Sequence, residues 1–150
     1  RLLSRQPFYD NLLVPCVRAD RFLPTGLDAQ GFLDMGVVIR ESGSGSRFAL
    51  EDWCKEHRLQ LQPKLELGSN EAVKHAVLAG LGVAVLPLVN IVSDVRLGQL
   101  VIPKIKGFPL KRSWCAVYPS AKQPTPVMQA FLDHLSAVGT SVLDPVLAVE

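Results

Sequence analysis

The chain is 150 residues long, 48% of them hydrophobic and 20% charged, enough apolar surface for one packed domain and too much for intrinsic disorder. Lys and Arg number 16 against 14 Asp and Glu, and the resulting +2 is too small for a dedicated nucleic-acid-binding face. No apolar run reaches the ~20 residues of a bilayer span, and three distant cysteines, Cys16, Cys54 and Cys115, suit neither a disulfide framework nor a zinc site and read as reduced core residues.

The first ten residues hold no initiator Met and no apolar signal core, so the chain is expected to be a fragment or a processed piece. Residues 11–18 are apolar with Pro15 among them and predict a strand near a sheet edge or at a bend. Leu23-Pro24-Thr25-Gly26 is a turn, and 27–35 a short helix with Asp28 in its first turn. The apolar run from Gly36 to Arg40 has the pattern of a buried parallel strand. A polar loop, Glu41 to Ser46, leads into an amphipathic helix with the stripe Ala49, Leu50, Trp53, Cys54 and His57.

Residues 59–67 alternate, with Leu59, Leu61, Pro63, Leu65 and Leu67 on one side, which predicts a strand that Pro63 makes an irregular or edge stretch. After Gly68-Ser69, residues 70–79 predict a helix with a face of small residues (Ala72, Val73, Ala76, Val77 and Gly80), stopped by Gly80-Leu81-Gly82. Residues 83–87 predict a buried strand and 88–96 a helix. Strands are expected at 100–105 and 113–118, around Gly107-Phe108-Pro109. Thr125 as N-cap and Pro126 at the first position open a last helix, with Val127, Met128, Phe131, Leu132 and Leu135 as its apolar face. Residues 139–150 carry no pattern and are expected to be a tail. The alternation implies an α/β sheet with crossover helices.

Two strand–loop–helix corners carry the chemistry. The first holds Ser42, Gly43, Ser44, Gly45 and Ser46; the second holds Gly68, Ser69 and Asn70. Small hydroxyl and glycine residues at a helix N-terminus leave N–H groups and the positive dipole end facing outward, an anion site. In open α/β sheets, ligands bind beyond the carboxyl ends of the strands. The plainer reading makes these serines simple helix caps; two such corners in one sheet leave both readings standing. No Walker A loop is present, and GxGxxG fails because position 48 is Phe48. Neither GxSxG nor HExxH occurs, and His57, His75 and His134 read as core or surface residues. Glu41 and Glu71 near the corners form a conceivable acid–base pair, although Glu71 better suits a helix start. No catalytic residue, metal site or cofactor is expected.

The strings at these corners resemble the effector-binding domain of LysR-type transcriptional regulators. Arg40-Glu41-Ser42-Gly43-Ser44-Gly45-Ser46-Arg47 is close to the family's R-E-x-G-S-G-T-R, with Ser46 for Thr and Ser42 where Pro is common. Gly68-Ser69-Asn70-Glu71-Ala72-Val73-Lys74 and Gly80-Leu81-Gly82-Val83-Ala84-Val85-Leu86-Pro87 match the strings that follow, as do Gly98-Gln99-Leu100 and 107–112. Order and spacing agree from about residue 8 to 137, and the strings stand nearest to regulators of carbon-fixation and sulfur genes.

The resemblance implies an α/β fold like type II periplasmic binding proteins. Subdomain II would be complete over 18–112, with 1–17 as the end of subdomain I and first crossover and 113–138 as the second crossover and closing piece of subdomain I. The DNA-binding helix-turn-helix and the first half of subdomain I would lie outside the chain. Ser42, Gly43, Ser44, Gly45, Ser46, Gly68, Ser69 and Asn70 would line the subdomain II wall of a cleft for a small, anionic effector. The whole regulator would be a cytoplasmic homo-oligomer, a dimer or tetramer, touching DNA only through its missing N-terminal domain and touching no membrane. The alternative is a transport solute-binding protein of the same fold; an enzyme on this fold would need a general base the sequence does not offer.

Overall fold

The computed structural model describes residues 2–147. Its elements are β1 (Leu3–Arg18), α1 (Ala29–Asp34), β2 (Val37–Arg40), α2 (Gly45–Glu56), β3 (Pro63–Leu67), α3 (Asn70–Leu78), β4 (Ala84–Pro87), α4 (Leu88–Arg96), β5 (Leu100–Val101), β6 (Leu110–Pro119) and α5 (Pro126–Leu147). They pack as two units. The larger runs from Leu12 to Leu110; the other joins the N-terminal segment through Asn11 to the chain from Lys111 on.

In the larger unit β2 pairs with β3 in parallel, as the apolar run of β2 predicts, and β1 pairs antiparallel with β4 and with β5. A parallel bridge from Val37 to Val83 links the start of β2 to the chain entering β4, so the strand order is β3-β2-β4-β1-β5. Alternate side chains then divide between two cores. Leu13, Val17, Val37, Ile39, Val83 and Val85 face Phe32 of α1 and Leu50, Trp53 and Cys54 of α2. Val14, Cys16, Val38, Ala84 and Leu86 face Val73 and Val77 of α3 and Ile91 of α4. Both faces of the sheet are covered at β2 and β4, which is why these strands read as continuous apolar runs.

Helix ends follow local chemistry. Asp28 caps α1 through a bond from Gly31 N–H at 2.8 Å. At the end of α3 the Gly80 N–H donates to Val77 O and the Leu81 N–H to Ala76 O, with Gly80 at φ +77°, a paired closure that needs a left-handed residue. Gly82 serves a different purpose. A Cβ there would collide with the Gly36 carbonyl oxygen and crowd Val38 Cγ2 at 2.9 Å, so its bare backbone lets β4 approach β2.

Several expectations change. β1 begins at Leu3, not at residue 11, because residues 3–10 pair with β6. Pro15 lies opposite Val85 of β4, and the β5 ladder begins only at Val17, so the proline stands where β1 is paired on one side. β3 is shorter than 59–67, though it stands at the edge as Pro63 suggests: Leu65 stays 38% exposed, while Leu59 and Leu61 pack on the α1/α2 core before the strand starts. β5 covers only Leu100–Val101 of the expected 100–105, and β6 extends beyond 113–118 at both ends. α2 starts at Gly45, inside the expected loop, and His57 is its exposed C-cap residue, outside the buried stripe.

Cys16 and Cys54 are buried and free, and burial pushes their thiols up to about 12 and about 11 respectively. Cys115 is only half-buried, on β6, and joins neither core.

The second unit holds the first part of β1, most of β6 and α5. Leu2 meets Ser120 at one end of the strand pair, through bonds to its carbonyl from Ser120 N–H and Oγ–H at 3.2 and 2.8 Å. Asp10 meets Ser113 at the other, its carboxylate accepting at 2.9 Å. Trp114 packs its ring near those of Tyr9 and Phe8, at 5.6 and 6.4 Å. Thr125 caps α5 as expected, accepting from Met128 N–H at 3.3 Å, and Pro126 is its first residue. The helix continues through 139–147, where a tail was expected. Of its expected apolar face only Leu132 is buried; Val127, Met128 and Phe131 are exposed and Leu135 half-buried.

Two substitutions test the larger unit. Trp53 is 9% exposed, lies 4.7 Å from the Phe108 ring, and a Cβ on Gly107 would come within 2.6 Å of its Cζ2. Trp53→Ala is expected to cost about 3–5 kcal/mol, read as a lower chemical-denaturation midpoint. Gly82→Ala is expected to cost about 1–3 kcal/mol by forcing β4 off β2; an unchanged midpoint would contradict the close approach.

Candidate functional site

The carboxyl ends of β2, β3 and β4 open directly into α2, α3 and α4. α2 leaves toward one face of the sheet, whereas α3 and α4 pack on the other. Chains diverging to opposite faces from neighbouring parallel strands create a crevice at the carboxyl edge, the usual place for a ligand in an open α/β sheet. Both sequence-predicted corners lie on this edge.

The first corner turns through Glu41–Ser44. Ser44 N–H donates to Glu41 O at 3.2 Å, with Gly43 at φ +92°. The helical ladder of α2 starts with Phe48 N–H donating to Ser44 O at 2.9 Å, which leaves the N–H groups of Gly45, Ser46 and Arg47 ahead of it. Ser44 is 9% exposed, yet its hydroxyl makes no cap bond to the helix it precedes. Ser42, Gly43 and Gly45 are exposed and Ser46 is half-buried. A Cβ added at Gly43, Gly45 or Gly68 would meet no atom within 4 Å, so all three look onto open space.

The second corner is built differently. Ser69 Oγ accepts from Ala72 N–H at 3.0 Å, so its hydroxyl is spent on capping α3, the plainer of the two sequence readings. Gly68 and Ser69 are exposed. Asn70 is half-buried, and both ends of its carboxamide are engaged: Oδ1 accepts from Arg40 Nη1 at 2.8 Å and Nδ2 donates to Asn90 Oδ1 at 3.3 Å.

Ionic and backbone ties lock the two corners together. Glu41 N–H donates to Leu67 O at 3.1 Å. Arg40 grips both oxygens of Glu41, Nε to Oε2 at 2.7 Å and Nη2 to Oε1 at 2.9 Å. Arg47 donates from Nη1 to Glu66 Oε2 at 2.6 Å and to Arg40 O at 3.2 Å, and from Nε to Glu51 Oε1 at 2.6 Å. The hydrogen bonds from Arg40 hold the Glu41 carboxyl below its ordinary value, and the same bond raises the Arg40 guanidinium. Bonds to Glu51 and Glu66 raise Arg47 likewise. Glu71 sits on Lys74 at 3.0 Å, and Lys74 reaches Asp94 at 3.3 Å; burial works against the lysine's charge, but the two carboxylates outweigh it and raise its pKa. Glu41 and Glu71, the conceivable acid–base pair, therefore each hold a cation of their own.

Arg40, Arg47, Glu66 and Asn90 shape the edge and had no role in the sequence reading. The two arginines stood inside a quoted motif. Asn90 gave no signal, because the β4–α4 corner is Pro87-Leu88-Val89, without glycine or hydroxyl. His75 Nδ1–H donates to Glu71 O at 2.7 Å and His57 Nδ1–H to Trp53 O at 2.9 Å, both local helix contacts.

A family model described as the LysR substrate binding domain matches residues 1–140. The chain belongs to this family. It is 40% identical over 134 residues to a RuBisCO operon transcriptional regulator of Acidithiobacillus ferrooxidans, covering 88% of this chain and 43% of that protein. It is 42% identical over 101 residues to the HTH-type transcriptional activator CmpR of Synechocystis, covering 67% and 33%. The chain thus spans less than half the length of these relatives. Among solved structures, the Synechocystis CcmR regulatory domain in complex with 2-PG superimposes with a TM-score of 0.81 at 38% identity, over 91% of this chain and 66% of that one. The effector-binding domain of QuiR in complex with shikimate shares the fold at 18% identity, with a TM-score of 0.77 over 93% of this chain and 66% of that one. The architecture is the α/β, periplasmic-binding-protein-like fold of LysR effector-binding domains.

The Arg40–Glu41 pair makes a pH prediction. A carboxyl held below its ordinary 4.5 stays ionised in the folded chain, so the pair stabilises above that pH and is lost as pH falls through the lowered value. An NMR titration of the Glu41 side-chain carboxyl is expected to give a midpoint below 4.5, returning toward 4.5 in Arg40→Ala. Equal midpoints in the two proteins would mean that the bond does not persist in solution.

Proposed function

We propose that this chain is the effector-sensing and oligomerisation part of a LysR-type DNA-binding transcriptional regulator, and that the β2 and β3 corners bind a small anionic metabolite. The larger unit corresponds to effector-binding subdomain II, and the second unit to part of subdomain I. The observation that carries the reading is Ser44, nine-tenths buried at the head of α2 with a hydroxyl its helix does not use. Beside it stand the first-turn N–H groups of α2 and three glycines facing open space. Such an edge offers donors to an anion without a free cation.

Similarity to CmpR and to the RuBisCO operon regulator supports a role in transcription over the alternative of a transport solute-binding protein. DNA contact belongs to an N-terminal helix-turn-helix outside this chain, whose net charge is only +2. The regulator works in the cytoplasm as a homo-oligomer; among the described residues no helix is long and apolar enough to cross a membrane.

The CcmR regulatory domain was solved with 2-PG, which makes 2-PG the first anion to try. Calorimetric titration of the protein with 2-PG is expected to show saturable binding. Ser44→Ala is expected to weaken it by about 1–2 kcal/mol, the worth of a hydrogen bond lost in a buried site, with the unfolding midpoint unchanged because no cap bond is removed. Wild-type affinity in Ser44→Ala would remove Ser44 from the site, and no heat from 2-PG or from inorganic phosphate would sink the anion reading.

A further inference from the structure

Asn70 stands between two neighbours that decide which way its carboxamide faces. Arg40 Nη1 lies 2.8 Å from one end of it. A guanidinium carries donors only, so the group facing it must be the amide oxygen, and the NH2 is turned away. That NH2 meets Asn90 Oδ1 at 3.3 Å. Arg40 is itself held, because Nε and Nη2 grip Glu41 at 2.7 and 2.9 Å, and its side chain is only 20% exposed. Asn90 sits in the first turn of α4, at the carboxyl end of the third parallel strand. One hydrogen of the Asn70 NH2 goes to Asn90, and the other points outside this trio.

We propose that Arg40 and Asn90 are positioning residues that lock the Asn70 carboxamide as a hydrogen-bond donor, so that the sensed metabolite meets Asn70 with an acceptor oxygen, a carboxylate or a phosphate. The proposal rests on the effector-site reading above and deepens it. A carboxamide free to flip serves a donor or an acceptor equally well. A locked one turns an N–H toward a ligand ammonium, which has no acceptor to offer, so the lock turns a permissive residue into a discriminating one. It also brings the third corner into the site, although the β4–α4 junction has none of the serines and glycines of the other two. The string Glu41–Arg40–Asn70–Asn90 crosses all three strand ends, so displacing any member shifts the donor the ligand reads.

Two measurements test it. The first uses 2-PG with variants that leave the charge unchanged. Asn90→Ala removes the acceptor that anchors the NH2 and is expected to weaken 2-PG binding about three- to tenfold; Asn90→Gln returns an acceptor and is expected to restore most of it. Full affinity in Asn90→Ala, or a loss that Asn90→Gln does not recover, overturns the proposal. The second needs no ligand. In the ¹⁵N-resolved spectrum of the full chain, the two Nδ2 hydrogens of Asn70 are expected to exchange with water at clearly different rates, and to become alike in Asn90→Ala. Equal rates in the wild type overturn the lock. If 2-PG and inorganic phosphate both fail to bind while the two rates differ, the effector reading falls and the lock stands.

Discussion

Val38 N–H donates to Val83 O at 2.8 Å, and Val83 N–H donates to Gly36 O at 3.0 Å. These two bonds are the seam between the parallel pair β2–β3 and the antiparallel group β4–β1–β5. Without the seam, the two cores would not be closed over one sheet, and α4 would not begin beside α2 and α3. The seam depends on two main chains in direct contact at Gly36 and Gly82, which a single methyl group at 82 prevents. The glycine in Gly80-Leu81-Gly82 that looks like part of a helix stop is therefore a packing residue for the sheet, and only Gly80 does the stopping.

Across the carboxyl edge so formed, charge is settled internally. Arg40 faces Glu41, Arg47 faces Glu51 and Glu66, and Lys74 faces Glu71 and Asp94. Pairs as exposed as Arg47–Glu66 contribute little to stability one by one, whereas Lys74 and Asp94 are both only 14% exposed. Their effect here is geometric: they tie the start of α2 to β3 and α3 to the far end of α4, and leave each arginine of the corners on a carboxylate. The groups left over along this edge are directional, N–H donors and hydroxyls whose hydrogen bonds depend on fit.

Much of this was legible in the sequence, for local reasons. The run from Gly36 to Arg40, the cap at Thr125 and the stop at Gly80 are decided within a few residues of chain, and each is found where expected. Both corners were visible as Gly-Ser strings, and their adjacency follows from parallel pairing of the strands before them. The rest depended on distant partners. Residues 3–10 are strand because β6 lies beside them, and the Ser113–Asp10 contact spans 103 positions. β3 stands at the edge as Pro63 suggests, but only the pairing shows that its strand starts at Pro63 and not at Leu59. At the site, the hydroxyl of Ser69 and the carboxamide of Asn70 read as ligand groups, whereas the fold has already engaged that hydroxyl and all but one hydrogen of the carboxamide, and Asn90 came into view only once α4 was placed beside α3.

The donors along this edge share one property: backbone N–H groups, serine hydroxyls and a carboxamide do not ionise near neutrality. Glu41, at the first corner, has its carboxyl held below the ordinary value by the Arg40 hydrogen bonds and is ionised at neutral pH. Around neutral pH, then, these donors keep a constant face. Under the proposed anion reading, any acidity dependence of binding would originate in the ligand, through the fraction of it that carries the charge the donors require. An edge built this way would take the dissociated anion as its input and leave the sensing of acidity to the chemistry of what it binds.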